Sequence, residues 1–426
     1  MWRIIAGPLM LLAIPYFLTP MEQGYWYTFT GLAALSVFAD LGFTTIVLQF
    51  TAHEFAYLHF GKERIFEGDA EHLWRLASFF RFVVRWLCRI VGIVFPIILI
   101  GGYFFLASKH DHLEWQLAWI LYCIASAFAF FNSAILSFFE GCNGVALLQS
   151  VRFRISFFAS LTSIGCLVAG FSLYALSFSL MVNALAGTSY ILYYFRRPMC
   201  QLWHASRGRC YNWWPEFSSL IWRYAISWSS GYFIFQIFTP VAFYFHGAEF
   251  SGKIGISIAM WTAGFSIAST WITAIIPRVN ILIAERHWSE LDSLFQKNLR
   301  RTMVTMIGGG SMYFVLYALL SDHFTFFHRI LDPMNMALLF IAWILQSWVN
   351  AIAVYLRGHK REPLMVLSAI GGIWVFVTTI LCAKYLPEEY MFLGFVSQFW
   401  SLPLIYRIYR RFRRMHESIP EPASHS

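Results

Sequence analysis

The sequence predicts an all-α polytopic membrane protein with about twelve transmembrane helices. Three observations lead to this fold class: the composition, the spacing of apolar runs, and the placement of Lys and Arg. Of the 426 residues, 59% are apolar and only 12% are charged, about half the charged share of a soluble domain. A soluble enzyme does not fit this composition.

The apolar runs give the number of spans, since one helical crossing needs about 20 mostly apolar residues. The run from Ile155 to Phe195 carries no charge and would be about twice the membrane thickness as one helix. We therefore predict a hairpin that turns at Gly170-Phe171-Ser172, which brings the total to twelve spans. The runs lie near 4–18, 26–48, 90–106, 115–139, 155–195, 224–245, 254–276, 302–320, 336–356, 363–383 and 390–406.

The first run is short and contains Pro8 and Pro15. It could instead be a secretory signal, but no small-x-small cleavage site follows it. We expect a short first span, or a true start upstream of Met1.

The basic residues support twelve spans with both termini in the cytoplasm, because Lys and Arg concentrate on cytoplasmic loops. This topology places 27 of the 31 basic residues inside. The four outside residues are Lys109, Lys253, Arg329 and Lys384. Topology accounts for the net charge of +9, so no nucleic-acid partner is expected.

Two halves of similar design are separated by an offset of about 225 residues. Residues 68–89 and 285–301 both read as interfacial helices that lead into a span. We predict a first six-helix bundle at 1–200, a cytoplasmic linker at 201–222, a second six-helix bundle at 223–409 and a basic tail at 410–426. Duplicated halves are common in transporters.

Several motifs resemble O-antigen and polysaccharide flippases, which form the polysaccharide transporter family of the multidrug/oligosaccharidyl-lipid/polysaccharide exporter superfamily. The similarity is strongest over 18–50, and residues 139–154 and 231–255 are also similar to family segments. Two features depart from the family: the short first span and the scarcity of cations deep inside spans. The motif residues in the strongest stretch are Pro20, Glu22, Gly24, Asp40, Leu41 and Gly42.

The resemblance implies a central cavity between two bundles and a function in the cell inner membrane. That function is alternating-access transport of an undecaprenyl-diphosphate-linked oligosaccharide, with proton or sodium coupling and no bound cofactor. Polysaccharide polymerase and assembly proteins are expected partners. Two alternatives stay open: an exporter of small amphiphiles from the same superfamily, and a membrane polymerase or glycosyltransferase. The enzyme alternative is disfavoured because such enzymes gather acidic, His or Arg groups in sizeable external loops, and the external loops here are short.

Asp40 is the candidate for ion coupling, because it lies inside the second predicted span and a buried carboxylate there is costly. Its alternative role is a helix-packing anchor beside Gly42.

Arginines at predicted cytoplasmic helix ends are candidates for binding the diphosphate, since one guanidinium bridges two phosphate oxygens. Positive-inside anchoring is the alternative reading of each. Glu54 and Glu140 are candidate gating residues that would pair with an Arg, or else solvated loop carboxylates. The candidate arginines are Arg89, Arg152, Arg154, Arg223 and Arg278.

The basic segment from Arg407 to Arg414 is expected to bind anionic lipid head groups. The seven cysteines are too scattered for a disulfide framework. No paired Cys spacing supports a zinc site, and the His-x-His spacing at His110 and His112 is read as a solvated loop, so we expect no metal site.

The topology makes a direct prediction. A single cysteine introduced as Arg411→Cys should resist a membrane-impermeant thiol reagent added to intact cells, whereas Lys384→Cys should react. Reaction at position 411 from outside would contradict cytoplasmic termini.

Overall fold

The computed structural model describes residues 2–61, 65–109, 112–205, 211–359 and 363–417, and these are almost entirely helical. Short 3₁₀ turns lie at Ala34–Ser36, Thr325–Arg329, Glu388–Tyr390 and Gln398–Ser401. The α-helices are α1 Trp2–Phe17, α2 Pro20–Ala33, α3 Val37–Asp40, α4 Phe43–Phe55, α5 Ala70–Ala107, α6 Gln116–Gly141, α7 Val145–Val168, α8 Tyr174–Ala205, α9 Trp214–Phe235, α10 Phe238–His246, α11 Ala248–Thr273, α12 Ile276–Glu285, α13 Trp288–Leu320, α14 Pro333–Gly358, α15 Met365–Tyr385, α16 Leu393–Ser397 and α17 Leu402–Glu417.

All the predicted apolar runs fall on these helical segments. Within the described ranges, eight helices are long and apolar enough to cross a membrane. A ninth crossing is formed by the bent pair Pro20–Asp40 and Phe43–Phe55, and a shorter apolar helix spans Ala6–Phe17. The runs 224–245 and 390–406 coincide with interrupted helices, α9 and α10 for the first and α16 and α17 for the second. The prediction of an all-α polytopic membrane protein is confirmed.

The chain divides into two compact units, an N-terminal unit Met1–Tyr232 and a C-terminal unit Phe233–Ser426. In the N-terminal unit, aromatic side chains from α4, α5 and α6 form the centre of the core, joined by Trp213 and Phe217 from the segment that begins α9. In the C-terminal unit, side chains of α12, α13, α14 and α17 form a separate core around Phe295 and Tyr355.

The second crossing is broken, and this corrects the expectation of one continuous helix over 26–48. Leu41 (φ 43°) and Gly42 (φ 79°) both adopt the left-handed conformation between α3 and α4. A left-handed Leu costs about 1–2 kcal/mol, so surrounding contacts must hold the break in place. The two parts meet at 41°.

The predicted hairpin turn is confirmed. Helix α7 ends at Val168 and α8 begins at Tyr174, with Gly170 (φ 79°) and Ser172 (φ 47°) in left-handed conformations between them. The absence of a Cβ allows Gly170 to adopt this angle at little cost.

The predicted interfacial helices prove to be continuous with the spans that follow them. Helix α5 runs for 38 residues and α13 for 33 without a break. Asp69 caps α5 by accepting hydrogen bonds from the backbone N–H groups of Glu71 and His72. One continuous helix therefore connects the predicted cytoplasmic surface to the membrane interior in each unit.

A two-stranded antiparallel hairpin, β1 Leu58–Phe60 and β2 Phe66–Gly68, precedes α5. The sequence reading did not predict it. The side chain of Gln201 on α8 bonds both the N–H and the carbonyl of Phe66, each at 2.8 Å. The amide thus completes the edge of β2 and ties the hairpin to the end of α8.

Inside the membrane-spanning part of the N-terminal unit, an amide serves helix packing. Asn132 on α6 donates to the carbonyl of Ala184 at 2.7 Å and bonds the Thr188 hydroxyl. A Cβ added at Gly187 would lie 2.9 Å from the Asn132 Nδ2 atom, so this glycine makes room for the contact. Such interhelical hydrogen bonds favour close approach of helices in membranes.

Two neighbouring glycines on α5 provide a test of how closely α5 packs against Trp119 of α6. A Cβ at Gly102 would lie 2.2 Å from the Trp119 ring, whereas one at Gly101 would meet nothing within 4 Å. We expect Gly102→Ala to destabilise the protein by about 1–3 kcal/mol through overpacking. Gly101→Ala should be neutral or stabilising by up to about 1 kcal/mol, from helix propensity.

The measurement is unfolding of each purified variant in the same detergent. Equal stability of the two variants would contradict the close contact between α5 and Trp119.

Candidate functional site

Asp40 lies at the break in the second crossing, where α3 ends. Its carboxylate accepts hydrogen bonds from the backbone N–H of Thr44 at 3.1 Å and from the Thr44 hydroxyl at 3.2 Å. The side chain therefore satisfies an N–H group in the first turn of α4, as a capping residue does. Asp40 is half-buried, and among the described residues no basic side chain forms an ion pair with it.

This geometry is compatible with both roles considered for Asp40. The carboxylate anchors the break, and it is also an acidic group inside a crossing, with no cation paired to it in the described part of the chain. A proton or a sodium ion would complete its coordination, because two of the oxygen lone-pair positions of a carboxylate remain after two hydrogen bonds.

Glu54, near the end of α4, forms the most elaborate polar cluster of the N-terminal unit. Its side chain is almost fully buried, at 2% exposure. One oxygen lies 3.0 Å from the Arg75 guanidinium and the other lies 2.9 Å from Nδ1 of His72. Both partners belong to α5, where a spacing of three residues places them on one face. Glu54 therefore locks the end of α4 to the beginning of α5.

An aromatic layer covers this cluster. The Arg75 guanidinium lies over the rings of Tyr211 and Trp213, 5.1 and 5.5 Å from their centroids, and Tyr57 stacks on His72 with ring centroids 3.9 Å apart. Stacking of an arginine on aromatic faces strengthens its placement when it is partly desolvated. The segment after α8 thus closes over the pair of helices that Glu54 joins.

Ser78 fixes that segment. Its hydroxyl accepts hydrogen bonds from the Tyr211 backbone N–H at 3.2 Å and from the indole N–H of Trp213 at 3.3 Å. The Tyr211 hydroxyl donates to Glu216, and this hydrogen bond to a carboxylate raises the pKa of Tyr211.

Glu140 and Arg152 are brought together as an ion pair of 2.7 Å between α6 and α7. Gln149 also donates to Glu140, at 3.4 Å. Glu140 is mostly buried while Arg152 is about one-third exposed. The pair joins two consecutive helices of the N-terminal unit, and its role in gating stays a prediction.

The other arginine candidates fall into distinct environments. Arg278 pairs with Glu290 at 2.7 Å in an exposed contact, while Arg89 and Arg154 are exposed and form no ion pair within the described ranges. Arg223 belongs to α9, but its side chain lies outside the described residues. Carboxylates therefore already engage Arg152 and Arg278, whereas Arg89 and Arg154 present their charge to the surroundings.

The C-terminal unit contains a polar cluster that the sequence reading missed. Asp292 near the start of α13 lies 2.5 Å from Nε of Arg413 on α17 and accepts a hydrogen bond from Tyr355 on α14 at 3.2 Å. It ties three helices together at one end of the unit. The sequence offered only one indication of this cluster, an acidic residue in a predicted interfacial helix, and such residues are usually solvated.

The described residues contain no group of three or more His, Cys, Asp or Glu side chains that could hold a metal ion. The chemistry that this arrangement offers is exchange of ion-pair and hydrogen-bond partners. Carboxylates at helix ends hold arginines, and an anionic ligand could compete for those arginines.

No family model matches the sequence, and no curated protein matches it. The structure is similar to a solved one described as the inward-facing conformation of a multidrug resistance MATE family transporter of the MOP superfamily. The TM-score is 0.61 at 11% sequence identity, and the match covers 98% of this chain and 99% of that chain. The chain therefore has the fold of that transporter over nearly its whole length, and the fold expected of the superfamily is confirmed.

The Glu54 cluster generates a stability prediction. Glu54→Gln removes the charge that compensates Arg75, and we expect a loss of about 2–4 kcal/mol, since breaking a buried pair leaves its partner uncompensated. The matched control is Glu67→Gln. Glu67 is 55% exposed and lies 3.6 Å from His59, so the control should change stability by less than about 0.5 kcal/mol.

Both variants would be unfolded in detergent beside the wild type. If Glu54→Gln is as stable as Glu67→Gln, the cluster does not hold α4 to α5.

Proposed function

We propose that this protein translocates an undecaprenyl-diphosphate-linked oligosaccharide, such as an O-antigen or similar surface polysaccharide repeat unit, across the cytoplasmic membrane by alternating access. The observation that supports a transport function is the similarity in fold to a MATE family transporter, which extends over nearly the full length of both chains. The choice of substrate depends on the resemblance of residues 18–50 to polysaccharide flippases.

The motif residues in that stretch have specific structural positions, which supports treating the resemblance as meaningful. Pro20 begins α2, and Glu22 forms a capping box with Thr19. The Ser172 hydroxyl, in the α7–α8 turn, also donates to Glu22. Leu41 and Gly42 form the break that Asp40 caps. The motif residues therefore determine where α2 begins and where the second crossing breaks.

The exposed arginines support an anionic, lipid-attached substrate. Arg89 and Arg154 belong to α5 and α7 of the same unit and lie at predicted cytoplasmic ends of spans. A diphosphate approaching from that side offers several oxygens to such donors. Helix α17 carries five arginines along 16 residues, and we propose that it holds this end of the C-terminal unit on anionic lipid head groups.

The second candidate is an exporter of small amphiphilic molecules. The observation in its favour is that the structural neighbour is described as a multidrug resistance transporter. Overexpression would then raise the concentration of amphiphilic drugs that cells tolerate, without any effect on surface glycans.

The deciding experiment is lipid analysis of cells that lack the protein, with the sidedness of each lipid-linked species probed from outside. We expect a complete diphospholipid-linked repeat unit to accumulate on the cytoplasmic face, and the wild-type gene to reverse this. Single repeat units accumulating on the outer face would show intact translocation and point to a polymerase. Unchanged lipids together with altered drug tolerance would favour the amphiphile exporter.

Asp40→Asn tests ion coupling. Asn retains one oxygen that can accept from the Thr44 backbone N–H, and its NH₂ group can donate to the Thr44 hydroxyl. It is also a good capping residue, so the protein should accumulate normally. It cannot ionise, so export should be lost if the carboxylate binds the coupling ion.

The control is Thr44→Val, which removes one hydrogen bond and leaves the carboxylate. It should export normally, with a stability loss of about 1 kcal/mol. Normal export by Asp40→Asn would remove Asp40 from the coupling mechanism.

Arg89→Gln and Arg154→Gln test diphosphate binding. Each should weaken the apparent affinity for substrate in a vesicle transport assay by about tenfold, the cost of one charge-assisted hydrogen bond, with little change in stability. Arg411→Gln, which removes an exposed charge from α17, serves as the control and should retain wild-type affinity. Equal effects at all three positions would indicate general surface charge instead of a site.

A further inference from the structure

An arginine and a tryptophan of the C-terminal unit form an organised pair on the surface between α11 and α13. The Arg301 guanidinium lies over the Trp271 ring, 5.1 Å from its centroid. The Trp271 indole N–H donates to the Thr305 hydroxyl at 3.0 Å. The hydrogen bond holds the ring by one edge, and the ring in turn positions the guanidinium.

This pair lies at the border of the membrane. Arg301 is the last charged residue before the uncharged run 302–320, and Trp271 lies near the end of the apolar run of α11. Tryptophan is enriched at the level of lipid head groups, and arginine extends its charge toward that level along an apolar stem. These features place the Arg301–Trp271 pair at the level of lipid phosphates.

The charge of Arg301 has no acidic partner in the part of the chain that the structure describes, and the residue is exposed. Arg278 and Arg413 of the same unit differ in this respect, because Arg278 pairs with Glu290 and Arg413 pairs with Asp292. An oriented guanidinium without a carboxylate retains N–H donors for an external anion.

An apolar track continues from the pair along α13. Thr305, Gly308 and Met312 follow Arg301 at spacings of four, seven and eleven residues, which places them on one face of the helix. Met312 is exposed, and a Cβ added at Gly308 would meet nothing within 4 Å. Exposed Val304 and Ile267 flank the pair. A hydrocarbon chain can lie on this face directly beneath the phosphate that Arg301 would hold.

We propose that Arg301, Trp271 and Thr305 form a binding site for the phosphate of a membrane lipid, with the lipid chain along the Gly308 face of α13. The ligand class is a phosphate ester or diphosphate on a hydrophobic tail. Arg301 bonds the phosphate oxygens, Trp271 fixes the guanidinium, and Thr305 fixes Trp271. The site belongs to one unit and does not require that the protein transport the same lipid.

The test is native mass spectrometry of the purified full chain, titrated in detergent with phosphatidylglycerol and, separately, with phosphatidylcholine. We expect one phosphatidylglycerol to bind more tightly than the rest, and Arg301→Gln to weaken it about fivefold, the effect of one well-placed cation near anionic lipid. Trp271→Leu, which retains an apolar side chain, should weaken binding in the same direction.

Arg300→Gln is the matched control. Arg300 is the adjacent residue on α13 and is also exposed, so its loss changes the net charge equally. Phosphatidylglycerol affinity within about twofold of wild type is expected for this variant, because Arg301 and its ring remain. An equal loss with Arg300→Gln, or no loss with Arg301→Gln, would overturn the site in favour of diffuse surface charge.

Two competitors identify the source of the phosphate. Displacement of phosphatidylglycerol by undecaprenyl diphosphate, lost in Arg301→Gln, would show that the site accepts the polyprenyl carrier. Failure of that competitor would identify a phospholipid site. Displacement by inorganic diphosphate at the same concentration as the lipid would overturn the role of the α13 face in holding a chain.

Discussion

The structure depends on one constraint: within the hydrocarbon layer, backbone polar groups and charges must find partners inside the protein. The helices satisfy this along their length, so the informative places are the interruptions. At the break between α3 and α4, the left-handed pair Leu41 and Gly42 interrupts the crossing, and Asp40 supplies the acceptor for an N–H of the new helix. The carboxylate that satisfies this backbone N–H is also the proposed coupling group.

The same constraint explains why charged side chains at helix ends form ion pairs. Glu54, Glu140 and Asp292 each hold an arginine, and each of these contacts connects different helices. Such pairs add modest stability, since desolvation offsets much of the attraction, but they specify which helix ends meet. The aromatic layer over Arg75 favours a fixed role for the Glu54 cluster.

Carboxylates engage Arg75, Arg152, Arg278 and Arg413, and the proposals depend on three of the other arginines. Arg89 and Arg154 in the N-terminal unit and Arg301 in the C-terminal unit present unengaged charge at the ends of long helices. The first two fit the proposed diphosphate substrate, while Arg301, oriented by Trp271, fits a lipid phosphate at the membrane border.

The sequence by itself determined the fold class, the helical runs and the hairpin at Gly170, because apolar length and charge placement respond directly to the thickness and polarity of the membrane. Only the tertiary structure decided what the polar residues do. The Glu54–His72–Arg75 cluster, the Asp292 contacts with Tyr355 and Arg413, and the pairing of Trp271 with Arg301 join residues from different helices. Sequence spacing encodes which face of a helix a residue occupies, but not which helix packs against that face. The break at Leu41 was likewise not predicted. Asp40 and Gly42 lie within the run, but the sequence alone does not show whether an Asp and a Gly inside a span interrupt the helix.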